Sequence, residues 1–138
     1  MNAESTLTYG HVIETKLSYD RALELAKLYL KDAGFGVQCQ IDVAATLKEK
    51  LGIEREPYMI LGACNPEYAH QALSHHPQIG LLLPCNVVVQ AEGAKTLVSA
   101  INARVLVQLV DPANLAPVAE EVDTRLRRVL ERIAMAQV

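Results

Sequence analysis

Tryptophan is absent from this 138-residue sequence, and one Phe with five Tyr brings the aromatic share to only 4%. Stacking platforms for bases or sugars are scarce, so the core must be built mainly from Ala, Val, Leu and Ile. An excess of positive charge is also lacking: 13 Lys and Arg stand against 16 Asp and Glu, a formal net charge of −3. The basic residues fall on helix-like faces among glutamates, which argues against nucleic acid as a partner.

Long apolar runs are missing too. Ile79–Pro84 is far short of the roughly 20 residues that a membrane-spanning helix needs. The opening MNAESTLTYGH has no basic flank leading into an apolar stretch of the kind that directs export. A soluble, cytoplasmic protein without membrane contact is the expectation. There is no Cys-x2-Cys pair, no Cys-x-x-Cys-His sequence, no Gly-rich phosphate loop and no Gly-x-Ser-x-Gly elbow. Zinc ribbons, covalent haem, phosphate loops and the hydrolase nucleophile therefore lack their usual signatures. Three cysteines are an odd count, and in a reducing compartment they start as free thiols.

What is present suits a globular domain. Hydrophobic residues make up 51% and charged residues 21%, and the length fits one domain over 1–138, with 1–6 as a flexible N-terminus. Thr8–Lys16 mixes β-branched and polar residues and reads as a first strand. Ser18 caps a helix whose stripe of Ala22, Leu23, Ala26, Leu30 and Ala33 ends at Gly34. Val37, Cys39 and Ile41 alternate with Gln38, Gln40 and Asp42, the pattern of a strand with one wet face, which points Cys39 inward. Asp42 sits where it can cap a short helix, Val43–Leu51, closed by Gly52.

Tyr58–Ala63 reads as a buried strand, and Asn65-Pro66 ends it while opening a helix over Glu67–Ser74. After the His75-His76-Pro77 turn and the apolar connection Ile79–Leu83, Val87–Val89 form a strand that turns at Glu92–Lys95 into Thr96–Ile101. ARVLVQLV suits a strand by its β-branched residues and a helix by the face of Val105, Leu106 and Leu109, and the reading leans to a short helix. Leu115, Val118, Val122, Leu126, Val129 and Ile133 then mark a long amphipathic helix, on which Asp123 and Arg127 are neighbours. The main order is β, α, β, α, β, α, β, β, α. It predicts an α+β two-layer sandwich, helices packed on one face of a mostly antiparallel sheet. The other face, poor in charge on Tyr58–Ala63 and Pro84–Val89, predicts a homodimer.

YG near the start, AGFGVQCQIDVAATLKEKLG, PYMILGACNP and IGLLLPCNVVV resemble the family known as domain of unknown function 302, from Tyr9 to about Arg132. The resemblance implies a compact α+β domain, often a homodimer, without an established activity or cofactor. Its Cys-Asn-Pro and Pro-Cys positions match Cys64, Asn65, Pro66, Pro84 and Cys85. Cys39 departs from that pattern and is given a packing role.

Cys64 lies where a strand hands over to a helix, beside exposed helix N–H groups that favour thiolate over thiol. Cys85 follows Pro84 at the start of a strand, and the two sulfurs meet if their strands are neighbours. Two readings stay open: small buried hydrophobes, inert thiols in a structural or regulatory dimer, or a site for a small ligand or a sulfur or redox equivalent. The second draws on Cys64, Asn65, Pro84, Cys85, His70 and Tyr58. In an enzymatic version Cys64 is the nucleophile, Cys85 the resolving thiol and a nearby histidine the base. A native metal would need more ligands than Cys64, Cys85 and His70 or His75 supply at these spacings, so none is assigned.

Overall fold

The computed structural model describes residues 4–137. Its elements are β1 (Glu4–Leu7), β2 (Gly10–Thr15), α1 (Tyr19–Asp32), β3 (Gly36–Asp42), α2 (Val43–Leu51), β4 (Tyr58–Cys64), α3 (Pro66–His75) and a 3-10 turn (Pro77–Leu82). Then follow β5 (Cys85–Glu92), β6 (Lys95–Ile101), α4 (Ala103–Gln108) and α5 (Pro112–Met135). The α+β sandwich read from the sequence is the architecture observed. One six-stranded sheet runs in the order β1-β2-β6-β5-β4-β3, with every neighbouring pair antiparallel. The expected flexible N-terminus lies partly outside the described residues; the rest of it opens β1.

Local chemistry accounts for the boundaries. Ser18 accepts a hydrogen bond from the Arg21 amide at 3.1 Å to start α1. Its far end closes when the Phe35 amide reaches back to the Leu30 carbonyl and Gly34 takes a φ of 91°. Asp42 caps α2 through the Ala45 amide, Asn65 caps α3 through Tyr68 and Asp111 caps α5 through Asn114. Gly93, at φ 61°, supplies the left-handed residue of the two-residue β5–β6 turn.

The inward face of the sheet presents Ile13, Leu61, Val87, Val89 and Val98, and α1 and α5 lay Ala22, Ala26, Leu30, Leu126, Leu130 and Ile133 against it. Two expectations are corrected here. The strand expected over Thr8–Lys16 is β2 but begins only at Gly10: the chain turns at Thr8 and Tyr9, and a strand the sequence reading lacks, β1, folds back on β2 as a hairpin. Nor does Cys39 point inward. Val37 pairs with Ala63 but Cys39 pairs with Gly62, so Gln38 is an extra residue in the ladder. That bulge reverses the alternation, leaving Cys39 exposed and Ile41 48% exposed.

Candidate functional site

β4 and β5 are neighbours, and Cys85 stands directly opposite Ala63. Cys64, the next residue, ends β4 before the chain turns through Asn65 into α3. Both cysteines border one cavity with about 70 Å³ of room for water-sized occupants. Its floor is Phe35, Ala63 and the two thiols. One wall comes from α3 and the following turn, with Asn65, Tyr68, Ala69, Ala72, Ile79, Leu82 and Leu83. The other comes from α4 and α5, with Ala103, Leu106, Val107, Leu115, Val118, Ala119 and Val122.

The cysteines are free thiols in unlike settings. Cys64 is half-buried, whereas Cys85 is buried, and that burial, with a smaller electrostatic contribution from the neighbouring Cys64, pushes its thiol up to about 11. Asn65 uses its side-chain oxygen on the Tyr68 amide at 3.2 Å. The Tyr68 ring lies 5.3 Å beneath the Arg125 guanidinium. Arg125 also donates to the Ala33 carbonyl at 2.9 Å and to Glu121 at 3.1 Å. One cation thus ties the end of α1 to α3 and α5 beside the cavity.

Of the six residues singled out in the sequence, the structure brings Cys64, Asn65 and Cys85 to the cavity. Pro84, joined to Leu83 by a cis peptide, is exposed and touches the other side of the sheet near Gly62. Tyr58 lies at the opposite end of β4 with Arg55 over its ring. His70 is exposed on α3, where its carbonyl accepts from Ser74. Neither Tyr58 nor His70 lines the cavity. Among the described residues, no three His, Cys, Asp or Glu side chains gather as a metal site. Sequence reading missed Tyr68 and the wall from α4 and α5. Tyr68 had a signal in its place three residues after the capping Asn65; the wall residues show only the apolar spacing of any core.

The chain matches the family described as domain of unknown function DUF302 over residues 11–133. It belongs to that family. A solved relative is the crystal structure of an uncharacterized conserved DUF302 protein from Bacillus stearothermophilus, with a TM-score of 0.85. It is 29% identical, and the alignment covers 92% of this chain and 99% of that one. No curated protein matches. Among the described residues, no helix is long and apolar enough to cross a membrane.

Proposed function

We propose that this DUF302 chain is a small-ligand-binding domain whose site is the cavity bordered by Cys64 and Cys85. The observation that carries this reading is that one mostly apolar cavity receives two thiols from neighbouring strands. Concave, largely apolar sites with a few convergent polar groups are where proteins hold small molecules. Binding is favoured over thiol-enzyme chemistry because no histidine is among the lining residues to serve as base for Cys64.

The test is the intact mass of protein purified without reductant, before and after dithiothreitol and then after denaturation. A retained small molecule lost on denaturation, or an adduct on Cys64 released by reductant, supports the reading. A bare mass, together with Cys64 and Cys85 both inert to iodoacetamide, overturns it.

We further propose that the domain works as a homodimer through the open face of its sheet. Val12, Ser99, Val88, Ile60 and Ile41 pair in succession across five strands, forming one uncharged row. Its four β-branched aliphatic side chains are only partly covered. Such a row is self-complementary about a two-fold axis. Sedimentation equilibrium should return twice the chain mass, and Val88→Glu should return one; a wild-type monomer at micromolar concentration removes the proposal.

A further inference from the structure

The walls of the cavity constrain what enters it. No Asp, Glu, Lys, Arg or His is among its lining residues, and its polar members are Cys64, Asn65, Tyr68 and Cys85. Asn65 has committed its oxygen to the Tyr68 amide. Arg125, the nearest cation described above, is occupied by Glu121, the Ala33 carbonyl and the Tyr68 ring. Burial keeps Cys85 uncharged at neutral pH. An anion entering such a space gives up its hydration and meets no cationic side chain among the lining residues.

Size sets a second limit. Room of about 70 Å³ is several times the ~10–15 Å³ that one water requires, and about half of the ~150 Å³ apolar cavity known to hold benzene. Sulfur and aliphatic carbon are soft, polarisable partners for a guest of that size. Resting on the reading of this cavity as the ligand site, we infer that it takes a small uncharged guest of a few heavy atoms, apolar over its surface, and rejects anions of the same shape.

A matched pair of fluorinated probes tests the inference: 2-(trifluoromethyl)propene, which is neutral, and trifluoroacetate, its near-isosteric anion, each followed by 19F NMR on the full chain. The neutral probe should show a saturable shift that xenon displaces, and the anion should show none at the same concentrations. Ala119→Leu, which pushes a larger side chain from α5 into the cavity, should weaken the neutral probe at least tenfold. Ala69→Leu, from α3, repeats the test should the first variant not fold, with circular dichroism as the control.

The inference is overturned by trifluoroacetate binding as tightly as 2-(trifluoromethyl)propene, or by neutral-probe binding that both leucine variants leave unchanged. If neither probe binds while native protein carries an adduct on Cys64, the ligand class is wrong and the site reading stands. If neither binds, the mass is bare and both thiols are inert, the two fall together.

Discussion

His11 on β2 and Asp123 on α5, 112 positions apart in the chain, meet in the core with Nε2 2.9 Å from Oδ1. Asp123 is completely buried and His11 nearly so. The other carboxylate oxygen faces Arg127 at 3.0 Å and Arg104 at 3.4 Å, close as charges rather than as aligned hydrogen bonds. Arg104 continues outward to Glu120 at 3.5 Å. One buried carboxylate therefore draws together β2, the start of α4 and the middle of α5, the helix that also supplies part of the cavity wall.

Removing that carboxylate leaves two guanidinium groups and an imidazole around an empty space. Taking one partner from a buried ion pair costs about 3–5 kcal/mol. Asp123→Ala should lose about that much in urea unfolding, and Asp123→Asn, which keeps the shape and a hydrogen-bonding oxygen, should lose less. An alanine variant within about 1 kcal/mol of wild type would show that the cluster contributes no more than an exposed ion pair.

Gly62 has a different constraint. A β-carbon placed there would stand 2.6 Å from Cys39 Sγ and 2.8 Å from Pro84 Cγ. Pro84 has little freedom to retreat, whereas Cys39 is exposed and does. Gly62→Ala should destabilise by about 1–3 kcal/mol through overpacking, and adding Cys39→Ala should recover part of that loss. Thermal unfolding of both single variants and the double variant yields the coupling; a strictly additive cycle would remove the contact from the explanation.

The same bulge explains why some of the structure was legible and some was not. α1 is readable because its apolar stripe, the Ser18 cap and the Gly34 stop agree, and α5 because its apolar stripe is sustained along a long amphipathic helix. The β5–β6 hairpin was readable because Gly93 sits in a two-residue turn. Cys39 was misplaced because an inserted residue leaves no mark on an alternating pattern, and the Thr8–Tyr9 turn carries neither Asn-Gly nor Asp-Gly. The Cys64–Cys85 site was legible only as a conditional on strand adjacency. The cavity itself, and the burial of Asp123 within an otherwise charged helix segment, depend on distances between elements that periodicity does not contain.

Asp111 joins the cap of α5 to the turn after α3: its carboxylate accepts from the Asn114 side chain at 2.7 Å and lies 2.8 Å from His76 Nε2. The Asn114 hydrogen bonds, then the one with His76, hold its carboxyl below the ordinary 3.8. A lowered carboxyl stabilises the fold above its unfolded value, and that stabilisation disappears as pH falls through the lower, folded value. Asp111→Asn keeps a capping side chain but has nothing to protonate. The wild-type advantage over this variant should therefore shrink as pH falls below 3.8 in chemical denaturation. An advantage independent of pH down to 2 would count against the carboxylate's part in holding the turn.

Cys85 supplies the opposite limb. Its thiol moves from an ordinary 9.0 to about 11 because burial, and secondarily the electrostatic influence of Cys64, oppose ionisation. Between those values the unfolded chain has released the proton and the folded chain still holds it, so stability declines as pH rises. One proton sets the ceiling of that slope at about 1.4 kcal/mol per pH unit. Cys85→Ala should be offset from wild type by a constant amount below pH 9 and approach it as pH climbs toward 11. Alkylation reports the same contrast: in a Cys39→Ser background at pH 7.5, iodoacetamide should modify Cys64 first, and Cys85 should react measurably only as the pH is raised. Equal rates at the two positions, or a stability difference that ignores pH between 9 and 11, would mean that Cys85 is open to water rather than buried at the edge of the cavity.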